Sequence, residues 1–308
     1  MRVAAIDVGT NTTRLLVAEG TGPGYRDLDR RLVFTRLGSG VDAKGQIAKE
    51  AQDRTLATIA EFCAECGEFA VQKMRIAGTS AVRDATNREE FLKAASKLAG
   101  VEAEVLAGEE EARLSFVGAT ADLDFGTYLV IDIGGGSTEF VLGRSNTGVE
   151  HAVSMDIGSV RLTERHLLSD PPATEEVLTM EGDIEQALDK VDRHHIPNAS
   201  VARFVGAGGT VTTLAAIHVG AEEYDPQVTH QMTLSRSSVN SLYHDLAKMP
   251  VEHRMRMPAL PSGRADVIVA GASILARAMA RWSFAEVIVS EKDILDGLVL
   301  QMLGDPEL

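Results

Sequence analysis

Apolar and polar positions fall into short blocks along the chain, and two of these blocks carry the same pattern. Residues 130–142, VIDIGGGSTEFVL, read as an apolar strand bearing a carboxylate, three glycines, two hydroxyl residues, a second carboxylate and a second apolar strand. Residues 5–17, AIDVGTNTTRLLV, have almost the same layout. Laid over one another, Asp7 falls on Asp132, Gly9 on Gly134, and Thr12-Thr13 on Ser137-Thr138. Glycine inside a strand normally weakens it, since it adds backbone entropy and no side chain to pack. Two glycine-tipped hairpins of matched design point to one device used twice.

The remaining pattern follows each hairpin in a similar order. DRRLVFTRLG predicts a third strand, and apolar Leu56, Ile59, Ala60 and Cys63 at helical spacing predict a helix from about Lys49 to Phe69. QKMRIAGTSAVRDATN predicts a short buried strand ending in a loop, with Asn87 capping a helix over 88–98. VEAEVLAG predicts a strand, and GEEEARLSFVGAT starts a helix with three glutamates in its first turn. Residues 121–127 read as the connection between halves, after which the pattern restarts with YLVIDIGGGSTEFVLG. VEHAVSMDIG, VARFVGA and AEVIVS predict strands in the second half. Helices are predicted near 159–168, 173–190, 235–247 and 265–282, after GAGGT, and over ILDGLVLQML. The result is an α/β fold made of two duplicated domains, each a mixed sheet flanked by helices, with a ligand expected in a cleft between them. The domains are expected to span 1–123 and 124–308, the last helix (about 291–308) being placed to pack back on the first.

Composition narrows the function. The 308 residues are 44% hydrophobic and 24% charged, as in ordinary globular proteins. No apolar run approaches the roughly 18 residues of a membrane helix. The start, MRVAAIDVG, lacks the apolar core of a signal peptide, so a cytoplasmic location is expected. A formal net charge of −15 argues against a nucleic-acid or anionic-membrane surface. Within this acidic chain HRMRMPALPSGR brings Arg254, Arg256 and Arg264 close together in sequence, either as scattered loop arginines or as anion contacts. The pair Cys63/Cys66 lies at i and i+3 of a helix with no second CxxC, which favours a packing role over a redox or zinc one. The histidines, His194-His195 included, lack metal-site spacing.

The glycines give the hairpins their chemistry. Without Cβ atoms, backbone amides can approach a bound anion. Ser137 and Thr138, and Thr10, Thr12 and Thr13 opposite, add hydroxyl donors. Asp132 and Glu139 are hard oxygen ligands suited to Mg²⁺ bound beside phosphate, and Asp7 holds the matching place in the first hairpin. GAGGT (206–210) ends a strand and opens a helix, where an anion is favoured. There is no GxxxxGK[ST], so the chain is not a P-loop enzyme. Glu109, Glu110 and Glu111 complement a helix dipole, and one of them could also deprotonate water. Arg83, Arg113, Arg256 and Arg264 are candidates to offset charge on a transferring phosphoryl group.

Taken in order, the two hairpins, GTSAVRDATN, GEEEAR, DIGGGSTE, GSVRLTE, GAGGT and GRADVIVAGA resemble the exopolyphosphatase/guanosine pentaphosphate phosphohydrolase family in its short, two-domain form. The resemblance covers nearly the whole chain. It implies two ribonuclease-H-like domains of the actin/Hsp70/sugar-kinase superfamily, and Mg²⁺-dependent removal of terminal phosphate from inorganic polyphosphate or pppGpp. It places the catalytic base on Glu111, with Glu110 as the competitor, and metal-linked carboxylates on Asp132 and Glu139. Phosphate contacts are implied for Gly9, Thr10, Asn11, Thr12 and Thr13, for Gly134, Gly135, Gly136, Ser137 and Thr138, and for Gly208, Gly209 and Thr210. Arg83 and Asn87 match the SAxRxAxN element.

Two departures stand out. Longer members carry extra C-terminal helical domains, so an extended polyphosphate channel is not expected here. Before the last helix SEKDILDGL replaces the Leu-Arg-Glu/Asp-Gly form of many members, without its arginine. The expected protein is an exopolyphosphatase, with a pppGpp phosphohydrolase, a superfamily ATPase or kinase, and a non-catalytic polyphosphate or alarmone sensor as alternatives. A homodimer is a further expectation.

Overall fold

The computed structural model describes residues 1–21, 24–145, 147–193 and 202–304. His194 and His195 lie outside them. The strands in chain order are β1 (Arg2–Val8), β2 (Thr13–Thr21), β3 (Gly24–Val33), β4 (Lys73–Gly78), β5 (Ala103–Val105), β6 (Thr127–Ile133), β7 (Thr138–Arg144), β8 (Gly148–Met155), β9 (Arg203–Ala207), β10 (Thr233–Ser235) and β11 (Glu286–Val289). The helices are α1 (Val41–Lys44), α2 (Lys49–Glu68), α3 (Ser80–Asp84), α4 (Arg88–Ala99), α5 (Gly108–Thr120), α6 (Ser159–His166), α7 (Thr174–Asp192), α8 (Gly208–His218), α9 (Pro226–Thr229), α10 (Arg236–Lys248), α11 (Val251–Arg254), α12 (Ile268–Arg281) and α13 (Ile294–Leu303).

The chain forms two units. Unit 1 comprises Met1–Gly118 and Asp293–Leu308, and unit 2 comprises Ala119–Lys292. The division falls at 118/119 and 292/293 rather than at 123/124, so α13 belongs to unit 1. Its sheet has the order β3-β2-β1-β4-β5, and that of unit 2 has β10-β11-β9-β6-β7-β8. Read from the opposite edge, β8-β7-β6-β9-β11 repeats the first order, with an antiparallel meander followed by parallel strands. This is the duplicated, actin-like architecture that the family resemblance implies.

Period-two alternation along β1 and β2 divides the core of unit 1. Ala4, Ile6, Val8, Leu15 and Val17 face a layer that includes Ile59 and Phe62 of α2. Val3, Ala5, Leu16 and Ala18 face Leu295, Leu298, Val299 and Met302 of α13. The core of unit 2 joins Leu129, Ile131 and Phe140 of its sheet to Leu188 of α7, Leu214 of α8 and Ile274 of α12.

Several local expectations need correction. The third strand ends at Val33, and residues 34–38 form a loop bonded to the first hairpin. GTSAVRD continues from β4 into the short helix α3 rather than a loop. Asn87 occupies the N-cap position of α4 without capping it, because its side-chain amide pairs with the backbone of Ile47 in both directions, each at 3.0 Å. Cys66 is buried and its thiol is pushed up to about 12 by that burial, the reverse of a reactive thiolate.

Helices α5 and α13 of unit 1 pack closely where glycine permits it. A Cβ on Gly297 would lie 2.1 Å from the Leu114 carbonyl oxygen, and one on Gly118 would lie 1.9 Å from that of Asp293. Gly297→Ala is therefore expected to destabilise unit 1 by about 1–3 kcal/mol through overpacking. Denaturant unfolding checks this, and unchanged stability would show that the two helices need no such contact.

Candidate phosphate and catalytic site

The second hairpin is shaped by the helix that follows it. Ser159 N–H donates to the Gly134 carbonyl at 2.9 Å, and the Val160 and Arg161 amides donate to that of Gly135 at 2.8 and 3.1 Å. The Arg161 side chain completes the set, its Nε donating to the Gly136 carbonyl at 2.7 Å. Gly158 permits the approach, since a Cβ there would lie 2.4 Å from Gly135 O. Three successive carbonyls thus face the first turn of α6. In a planar trans peptide the following N–H points the opposite way. The amides of Gly135, Gly136 and Ser137 are therefore presented together on the far side, where no acceptor within the described residues meets them. A row of amides without Cβ obstruction is an anion seat.

The first hairpin is held similarly. Arg36 N–H donates to Asn11 O at 2.9 Å, Gly38 N–H to Thr10 O at 2.8 Å, and Gly9 N–H to Thr12 O at 2.9 Å. Arg36 adopts φ 49°, a left-handed conformation uncommon for a side-chain-bearing residue. At this tip the Gly9 amide is taken by Thr12, as the Gly134 amide is by Ser137 in the second hairpin, and two of the hydroxyls expected to contact phosphate are engaged as well. Thr13 Oγ1 shares a 2.8 Å hydrogen bond with Thr35 Oγ1, and Thr138 Oγ1 donates to Ile157 O at 2.6 Å. Both threonines begin the returning strand and are turned into the interior. Thr210 lies against Gly271 of α12. Thr10, Asn11, Thr12 and Ser137 remain at the hairpin tips.

The GAGGT turn opens α8, with Gly208 at φ 82°. Here too the glycines leave room for side chains: a Cβ on Gly208 would lie 2.6 Å from Asp132 Oδ1, and one on Gly209 would lie 2.1 Å from the Arg264 guanidinium. Arg264 Nη1 also donates to Thr213 Oγ1 at 2.6 Å. Hairpin carboxylate, helix start and arginine therefore meet within unit 2. The other two arginines of HRMRMPALPSGR do not join them. Arg254 is buried, with Asp170 Oδ1 3.6 Å from its Nη2, and Arg256 is exposed and ion-paired to Glu252. Arg113 is exposed on α5.

The carboxylates differ in their surroundings. Asp132 and Glu139 are directly opposed across β6 and β7, and both are buried. Like charges so placed repel, and Glu139 Oε1 accepts a hydrogen bond from Ser154 Oγ at 2.7 Å. In the first hairpin the position opposite Asp7 is Arg14, whose Nη2 lies 2.7 Å from Asp7 Oδ2. Arg14 also pairs with Asp293, in the segment where the family's usual arginine is missing. Burial pushes the Asp7 carboxyl up, against the pull of Arg14, and Asp7 Oδ1 has no hydrogen-bond partner. Within the described residues of either unit, no group of three or more His, Cys, Asp or Glu side chains could hold a metal alone.

Glu111 and Glu110 are separated by their environments. Glu111 is buried at the start of α5, and its Oε2 accepts from Arg83 Nη1 at 2.8 Å. Arg83 is itself fixed by donation to Leu106 O at 3.2 Å. Glu110 is exposed, 3.6 Å from an Arg75 guanidinium already bonded to Glu104. Neither Arg14 nor Arg161 was among the candidates. A signal for Arg14 lies in the hairpin register, since it stands seven residues after Asp7 as Glu139 stands seven after Asp132. Arg161 has no comparable mark, because nothing local shows that GSVRLTE folds onto the glycine loop.

Comparison with known proteins finds relatives along nearly the whole chain. The Ppx/GppA phosphatase family matches residues 16–305. Exopolyphosphatase 2 of Mycobacterium tuberculosis is 39% identical over 98% of this chain and 99% of its own length. Among solved structures, an exopolyphosphatase-like protein superposes with a TM-score of 0.94 at 36% identity, over 98% of this chain and 97% of that one. An exopolyphosphatase from Cytophaga hutchinsonii gives 0.89 at 28% identity, over 98% of each chain.

The contact between Gly209 and Arg264 yields a test. Gly209→Ala should displace the flexible guanidinium while leaving the melting temperature within about 5 °C. It should weaken pyrophosphate binding by about tenfold, the worth of one hydrogen bond to a charged group. Calorimetric titration of Gly209→Ala, Arg264→Ala and the double variant checks this. Two losses that simply add would show that the residues act independently.

Proposed function

Since this chain belongs to the Ppx/GppA phosphatase family, we propose that it is an exopolyphosphatase, a phosphoanhydride hydrolase that releases terminal orthophosphate from inorganic polyphosphate. The observation that carries this reading is that the carbonyls of Gly134, Gly135 and Gly136 are held by α6 while no acceptor among the described residues takes the amides of Gly135, Gly136 and Ser137. Such donors bind phosphate oxygens through the backbone alone and need no base or sugar to recognise. Arg264 beside the α8 turn adds a cation that can bond two phosphate oxygens at once. Two exopolyphosphatases that match over 99% and 98% of their own lengths support a reading of polyphosphate rather than pppGpp as the substrate.

Glu111 is the proposed general base. Arg83 holds one of its oxygens and sets the direction of the carboxylate, whereas Glu110 is exposed and shares its arginine. In the proposed reaction water attacks the terminal phosphorus, its proton passes to Glu111, and the bridging P–O bond breaks to leave the shortened chain.

The donor set fits Mg²⁺. Asp132 and Glu139 are opposed, buried hard oxygen donors, and in the first hairpin Asp7 Oδ1 is a buried acceptor without a hydrogen bond. We assign Asp132 and Glu139 to its support, and Asp7 to the matching position of the first hairpin. When bound, Mg²⁺ would offset charge on the phosphoryl group. No described helix is long and apolar enough to cross a membrane, and we propose the cytoplasm as the working compartment.

Phosphate release measured on polyphosphates of several lengths, pppGpp and ATP tests the reading. Polyphosphate should have the highest kcat/KM, and preference for pppGpp or ATP would replace this reading with a nucleotide one. Glu111→Gln should lower kcat by on the order of 10² with binding retained, while Glu110→Gln stays near the parent. The reverse pattern would move the base by one residue. Activity should be lost in excess chelator and restored by Mg²⁺, and full activity in chelator would remove the metal from the scheme. With Arg264 alone of the three basic-stretch arginines at the loops, kcat/KM per chain end should level off at short chains.

A further inference from the structure

We propose that Arg161 is a positioning residue for the phosphate loop, holding the Gly136–Ser137 peptide so that the Ser137 amide faces the ligand. The inference deepens the function proposed above and rests on that reading of the loop as an anion seat. Of the three glycine carbonyls turned toward α6, two are held by backbone amides, those of Ser159, Val160 and Arg161. Almost any residue could supply these. The third, Gly136 O, is held by the Nε of Arg161 at 2.7 Å, a side-chain contact that depends on residue identity.

That third peptide is the one held by a side chain alone. Its flip turns ψ of Gly136 and φ of Ser137, and Gly136 has no Cβ to restrict its share of that rotation. A flipped Gly136–Ser137 peptide would replace a donor with a carbonyl oxygen and repel the anion. The guanidinium bond opposes the flip from the side away from the ligand. Arginine suits the place because its planar, permanently charged group donates in a fixed direction. Arg161 therefore acts through the peptide and not by touching the phosphate.

Arg161→Gln and Arg161→Lys test this with inorganic pyrophosphate as the probe. In Arg161→Gln the pyrophosphate Kd and the polyphosphate KM should rise by about tenfold, one charge-assisted hydrogen bond's worth, with a smaller change in kcat. The melting temperature should fall by no more than about 5 °C. In amide ¹H–¹⁵N spectra the Ser137 resonance should shift on adding pyrophosphate to the parent but not to Arg161→Gln, a readout that a purely structural role would leave unmoved. Arg161→Lys keeps the charge but carries its nitrogen one bond further out, and should recover only part of the affinity. Unchanged Kd and KM in a folded Arg161→Gln would overturn the proposal. If that variant does not fold, Arg161→Lys decides, with parental Kd against it and a rise of about threefold or more in favour. If neither folds, Arg161 is a packing residue and the proposal fails. A parent that binds pyrophosphate without hydrolysing polyphosphate would instead refute the function proposed above and leave this inference to the binding data.

Discussion

The architecture of the candidate site depends on the rigidity of the peptide plane. A loop cannot present three amides to an anion unless the three preceding carbonyls are accommodated on its other side. In unit 2 that accommodation is the first turn of α6, brought against Gly134, Gly135 and Gly136 by a chain that passes through Gly158. In unit 1 it is the loop after β3, whose amides take up the carbonyls of Thr10 and Asn11. The three glycines of DIGGGSTE thus serve two partners. Gly158 lets α6 close in from behind, and the three glycines add no side chain of their own in front.

The two hairpins share geometry but have diverged in charge. Asp7 faces Arg14 and Asp132 faces Glu139 at the same register position. The first pair is largely neutral within itself, and Arg14 extends it to Asp293 at the start of the return segment. The second sets two acidic side chains opposite one another in a buried place. One duplicated strand pair therefore carries an acid opposite a base on one side and an acid opposite an acid on the other.

Much of this could be read in the sequence because the information is local. Alternation along β1 and β2, the glycine tips, the α2 periodicity and the glutamates opening α5 all depend on neighbours a few residues apart. Residues whose roles depend on distant partners were harder to read. Thr13 and Thr138 look like phosphate donors until Thr35 and the Ile157 carbonyl are seen to engage them. Asn87 looks like a cap, but Ile47, forty residues earlier, takes its amide. Arg254, Arg256 and Arg264 share one short stretch, yet helix α11 buries the first and leaves the second facing solvent beside Glu252. Nearness in sequence indicated a cluster that the turn between them does not make.

Unit 1 is discontinuous, and this bears on how the chain is made. The sheet face formed by Val3, Ala5, Leu16 and Ala18 is covered by α13, which follows the whole of unit 2 in sequence. During synthesis from the N-terminus, β1 and β2 emerge first, but the helix that seals them emerges after Lys292. Unit 2, a single continuous segment, can complete its core earlier. The unit whose strands are translated before unit 2 is thus closed only after it, and until then an apolar sheet face must be kept from other chains.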